Sequence, residues 1–139
     1  MFGKKRKGQA LVEFSLVIVL FLFIILGTID FGLFLYSTII LDTATRDGVR
    51  VAVVRTDWGT NYDDIVEEIK DVVEDRSRFL PETTGLRGRT IVTLTPSAID
   101  PESITVEVRN QPYNTISGFL GLILPDDIST GATMRYEKR

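Results

Sequence analysis

The chain has 139 residues, with 16 Lys and Arg against 19 Asp and Glu and neither His nor Cys. Its mean hydropathy is +0.13, which suits one domain with an apolar appendage. Lacking His and Cys, it has no base or ligand for Ser-His-Asp or Cys-His triads, thiol redox chemistry or the usual zinc sites. No catalytic residue, cofactor or metal is therefore expected, and a body with 17 acidic and 12 basic side chains from Asp42 onward argues against a nucleic-acid partner.

The first predicted element is a membrane segment. Lys4, Lys5, Arg6 and Lys7 stand ahead of an apolar run in which Asp30 is the only charge between Phe14 and Leu41. That run exceeds the roughly 20 residues a helix needs to cross a bilayer. A basic flank of this kind stays in the cytoplasm, so everything past the run is expected outside. A secretory signal would have a shorter apolar core, about 7–15 residues, and a small-x-small cleavage site. No convincing site of that kind follows.

The junction KKRKGQALVEF, residues 4–14, adds detail: Gly8 closes the basic leader, Glu13 stands five positions later and Phe14 follows it. It resembles the prepilin peptidase site of type IV pilins, especially the Flp/Tad subclass. The resemblance implies cleavage after Gly8 and a mature chain beginning at Gln9. It also implies an assembly role for Glu13 and Phe14, with Glu13 meeting the N-terminal amine of a neighbouring subunit. A carboxylate near a membrane core is costly and persists where it has a partner or a task. Read without the resemblance, Glu13 is a carboxylate at headgroup level beside four cations.

Asp30 lies roughly 25 Å farther along the helix, near the opposite edge of a hydrocarbon core about 30 Å thick. It is either an interfacial residue or an assembly contact to a neighbouring subunit or a membrane assembly protein. Its setting LGTIDFG (26–32) is similar to a hallmark of the TadE-like family. LDTATRDGVRVAVV (41–54), QPYNTISGFLGLILP (111–125) and TGATMRYE (130–137) are similar to that family's later segments. Several positions of 41–54 carry Val or Thr where the family uses Ala, which weakens the expectation of close helix packing there. The resemblance implies a minor pilin or pseudopilin of a Tad-type pilus, a single-pass protein of the inner membrane. Its partners would be the membrane, prepilin peptidase, other pilin or pseudopilin subunits and Tad assembly proteins. The alternative is an uncleaved, membrane-anchored extracytoplasmic binding module.

Past the span the helix can continue through Asp42–Arg55, with a bend or break near Gly48, which costs about 1 kcal/mol in a helix interior. Trp58-Gly59-Thr60-Asn61 reads as a turn. Tyr62, Ile65, Val66, Ile69, Val72 and Val73 follow the spacing of a buried helical stripe. The opposite face, with Asp63, Asp64, Glu67, Glu68, Asp71, Glu74 and Asp75, is a solvated acidic face or, less simply, a docking surface. Pro81 and Gly85/Gly88 mark a loop. Three strands follow: Thr90–Thr95, one around Ile104, Val106 and Val108, and Ile128–Glu137. Asp100-Pro101-Glu102 is a turn without the spacing of a calcium loop. Residues 115–124 are expected to cap the sheet or to form a patch for a partner subunit.

The predicted fold is α+β and type IV pilin-like: a long membrane-spanning helix, a second amphipathic helix and a small antiparallel sheet. Residues 1–8 form the leader, 9–41 the span and 42–139 the extracytoplasmic domain, which must hold together by packing alone since no disulfide is available. The adjacent pairs Asp63/Asp64, Glu67/Glu68 and Asp126/Asp127 are the only candidates for carboxylate catalysis. Neighbours in sequence on a helix do not face each other, so no enzyme is expected.

Overall fold

The computed structural model describes residues 3–80, 86–95, 102–113, 115, 118, 121, 123–125 and 127–135. The expected Pro81–Gly85 loop, the Asp100-Pro101 turn, Asp126, and Tyr136 and Glu137 of the last strand lie outside these residues. The fold is α+β, as the hydrophobic periods predict.

Helix α1 runs unbroken from Gly3 to Val54, 52 residues, or roughly 78 Å. It has two halves of different character. From Gly8 to Ile29 every side chain is exposed and Gly27 alone is half-covered; this arm is apolar all round, as a helix with no polar surroundings should be. From Asp30 onward the buried positions are Asp30, Ser37, Leu41, Ala44, Thr45, Gly48, Val49 and Ala52. Their three- and four-residue steps make one stripe facing the domain. Packing thus begins at Asp30, within the segment 9–41 that composition marks as membrane-spanning.

Helix α2, Tyr62–Ser77, buries Ile65, Ile69, Val73 and Ser77 at strict four-residue intervals, the core of the predicted stripe. The turn between the helices is built on Asp57, whose carbonyl accepts from the Thr60 and Asn61 amides at 3.1 and 3.0 Å. The Asn61 side chain donates to the Asp57 carboxylate at 2.8 Å. That bond, the Asp57 backbone and the nearby Arg55 charge hold the carboxyl below its ordinary range. Beside it Trp58 is 2% exposed, with its ring 6.1 Å from that of Tyr62.

A one-turn helix α3, Leu86–Arg89, occupies the position read as loop around Gly88. It leads into β1, Thr90–Thr95, followed by β2, Ser103–Pro112, and β3, Asp127–Arg135. The described sheet is antiparallel in the order β1-β2-β3. Val92 pairs with Val106, and Val106 with Ala132. Ile104, Val106, Val108 and Ile128 join Leu41, Ala44, Val49, Ala52, Ile65, Ile69 and Val73 in one core.

Two features depart from the sequence expectation. Gly48 neither bends nor breaks α1. A Cβ there would lie 2.9 Å from Val73 Cγ2, 3.4 Å from Ile69 Cγ2 and 3.5 Å from Val106 Cγ1, so glycine lets α2 and the sheet close on the helix. With Ala44 and Ala52 one turn away on either side, both fully buried, α1 and α2 pack closely despite the Val and Thr residues nearby. The second feature lies in β2: Val108 pairs with Thr130 but Gln111 with Ile128, three steps on one strand against two on the other. This bulge shifts the strand's phase. Gln111, 3% exposed, and Tyr113 consequently continue the inward row of Ile104, Val106 and Val108.

Candidate functional site

The sequence singles out two stations on α1, the junction Gly8–Phe14 and Asp30. The structure sets them at the two ends of the uncovered arm.

At the junction, Gly8, Gln9, Glu13 and Phe14 are all exposed. The Gln9 side chain donates from Nε2 to Glu13 Oε1 at 3.0 Å, an i,i+4 contact that puts the two residues on one helix face. A Cβ on Gly8 would meet nothing within 4 Å. The glycine is therefore not required by packing, although glycine in a helix costs about 1 kcal/mol relative to alanine.

Asp30 is 1% exposed, whereas Ile29 and Phe31 on either side are 47% and 52% exposed. It is buried by this chain's own fold, an arrangement that neither sequence reading of Asp30 includes. Tyr113 Oη donates to the Asp30 backbone carbonyl at 2.9 Å, across 83 residues of sequence. The Tyr113 ring stands edge-on to Phe34, with centroids 5.3 Å apart and planes at 78°. Burial, and then the Asp30 charge, push the Tyr113 phenol above its ordinary value, as expected for an acid whose anion would be desolvated beside a carboxylate. The β2 bulge makes this contact possible by turning Tyr113 inward. A bulge, which depends on pairing with β3, leaves no signal in period-two alternation.

The acidic face of α2 is laced with cations. Lys70 pairs with Glu67 at 3.2 Å, Arg78 with Asp75 at 3.5 Å, and Arg55 on the far side of the turn with Glu68. Arg76 reaches Asp47 of α1 at 3.2 Å. Exposed pairs like these contribute between nothing and about 1 kcal/mol each. Between the helices lies an open groove of about 640 Å³ with both charge signs, lined by Asp47, Arg50, Glu68, Asp71, Asp75 and Arg76 among others. It contains no nucleophile with a base beside it, and no three potential metal ligands gather among the described residues. Of the apolar residues expected to cap the sheet, Ile123 is 75% exposed and Leu124 half-buried; Phe119, Leu120 and Leu122 lie outside the described residues.

α1 is long and apolar enough to cross a membrane. Residues 8–50 match the family model described as TadE-like protein. The match begins at Gly8, contains Gln9, Glu13, Phe14 and Asp30, and stops short of segments 111–125 and 130–137. No curated protein and no solved structure matches the chain.

Proposed function

We propose that this protein is a minor pilin or pseudopilin of a Tad-type pilus, anchored by α1 with its N-terminus inside, trimmed after Gly8 and acting in pilus assembly, initiation or tip function. The observation that carries the reading is the uncovered apolar arm beginning at Gly8, with Glu13 five positions in, inside the segment that matches TadE-like proteins. A soluble domain gains nothing from 21 exposed, mostly apolar positions, whereas a membrane or a bundle of like helices covers them. The open space around Gly8 supports a processing role, since a peptidase needs backbone access at the scissile bond and the fold makes no demand on that residue.

Intact-mass measurement of the membrane-extracted protein, from cells that contain a prepilin peptidase, tests the reading. The expected mass corresponds to a chain beginning at Gln9; retention of Lys4–Lys7 would favour the uncleaved, anchored binding module instead. Gly8→Leu is expected to abolish trimming while leaving the domain folded, because its side chain enters open space.

Glu13 extends the same reading. Trimming would create an α-amine at Gln9, a cation for which a carboxylate on a neighbouring helix is a natural partner in a low-dielectric setting. Glu13→Ala removes a costly charge from the membrane edge, so insertion should be equal or slightly better while recovery in sheared pili collapses. Normal recovery of the variant in pili would remove the pairing role.

A further inference from the structure

The two faces of α1 lose their uncovered apolar character at different heights. On the domain side, cover begins at Asp30. Ile39 stands nine residues farther on, about two and a half turns, which puts it on the opposite face. That face is still open: Leu35, Tyr36 and Ile39 are 44%, 49% and 64% exposed. From Asp30 to Ile39 the open face prolongs the arm by about 14 Å. Between Glu13 and Asp42 the only charge is Asp30, and it is buried on the other side. The hydroxyls on the open face are satisfied inside the helix, since Thr28 and Thr43 donate to the Ile24 and Ile39 carbonyls at 2.8 Å each.

Beyond Ile39 the same face changes in order. Thr43 is followed by Arg46 and Arg50, both exposed and paired with Asp42 at 3.1 Å and with Asp47 at 3.7 Å. An apolar surface that carries a tyrosine and then gives way to ion pairs follows the succession of media met on leaving a bilayer, where Tyr favours the interface. A seam for another helix running along α1 would instead stay apolar through positions 43, 46 and 50. Lipid is the occupant that this order fits.

An upright helix cannot serve both faces. Leaving the hydrocarbon at Asp30, it would hold Ile39 about 14 Å out, beyond a headgroup layer of roughly 5–7 Å. A leaning helix can. A cylinder roughly 10 Å across that leans by about 30°, within the range of spanning helices, meets the membrane surface about 6 Å later on its lower side than on its upper side. The headgroup layer accounts for the remainder. We propose that α1 leaves the bilayer obliquely, with Leu35, Tyr36 and Ile39 against the outer leaflet on its lower side and the domain carried on its upper side. This rests on the membrane-spanning reading of α1.

The chain has no cysteine, so single cysteines at Leu22, Leu26, Ile39 and Val54 can each carry a nitrobenzoxadiazole fluorophore. All four positions are exposed, and labels there leave the core intact. The full-length protein is reconstituted at high lipid-to-protein ratio in phosphatidylcholine–phosphatidylglycerol vesicles containing lipids spin-labelled at shallow or deep acyl positions. Leu22 reports the span and Val54 the far end of α1, while Leu26, one turn before Asp30, reports the domain-side face. The label at Ile39 is expected to be quenched several-fold more strongly than that at Val54, and the labels at both Ile39 and Leu26 by shallow spin labels in preference to deep ones. Equally weak quenching at Ile39 and Val54 with strong quenching at Leu22 overturns the oblique exit and leaves the span intact. Shallow quenching at Ile39 with deep quenching at Leu26 describes an upright helix sunk into the bilayer, its two labels about 20 Å apart in depth, and overturns the proposal too. Loss of quenching at Leu22 overturns the span and the oblique exit with it. Shielding of Ile39 that grows with protein density identifies a second copy, not lipid, as the occupant and likewise overturns the proposal.

Discussion

Gly48→Leu is expected to push α2 and the sheet off α1. A Cβ alone would sit 2.9 Å from Val73 Cγ2, closer than unbonded carbons approach, and a longer side chain adds three more carbons to that contact. Overpacking of this kind typically costs 1–3 kcal/mol. The helix-propensity gain on losing glycine returns about 1 kcal/mol, so Gly48→Ala should lose stability slightly and Gly48→Leu by up to about 2 kcal/mol. Urea unfolding in detergent, followed by the fluorescence of Trp58, the only tryptophan, measures it. Trp58 is buried beside the α1–α2 turn, where separation of the helices is felt first. Val73→Ala removes the obstructing methyl, so Gly48→Ala should be less harmful in that background than alone. An equal cost in both backgrounds would show that the close approach is not the cause.

Asp30→Leu should be comparably harmful, and its damage should be local. Asp30 is buried, and removing its carboxylate leaves buried polar groups around it without their partner, which costs about 1–3 kcal/mol. Loss is expected at the Tyr113 end of β2, seen as faster amide exchange there, while amides of α2 keep their protection. If Asp30 served only as a contact to another subunit, exchange within the isolated chain would not change and only co-purification with pilus components would fall. The Tyr113 phenol adds a pH signature. Its folded value is raised, so its contribution is complete below the ordinary tyrosine range and is lost as pH climbs through the raised value. Tyr113→Phe should remove that alkaline loss and cost about 1 kcal/mol at neutral pH for the missing hydrogen bond.

What the sequence discloses depends on how local the cause is. The arm, the stripe of α2 and the alternation of β2 are legible because each follows from a repeat of 3.6 or 2 residues within one element. Gly48 looked like a helix weakness, since propensity is local whereas the methyl groups of Val73 and Ile69 come from 20 or more residues away. Trp58 read only as part of a turn, although it is among the largest fully buried side chains. Asp30 was visible as a charge in apolar sequence, and its burial was not. Tyr113 bonds its carbonyl, and Tyr113 faces inward only after an extra residue enters β2. The junction at Gly8 was legible for the opposite reason: nothing in the fold acts on it.

The continuity of α1 from Gly3 through Val54 makes the helix a lever. With no hinge between the apolar arm and the packed half, a tilt imposed on the arm is imposed on the whole domain. From Asp30 to Val54 the rod is roughly 36 Å long, so a tilt of about 20°, common for spanning helices, carries the Trp58 end sideways by roughly 12 Å. A thinner bilayer, which such a helix meets by leaning over, would swing the groove between α1 and α2 toward the membrane plane. On the proposed pilin reading, bilayer thickness would then set which face of the domain an arriving subunit encounters.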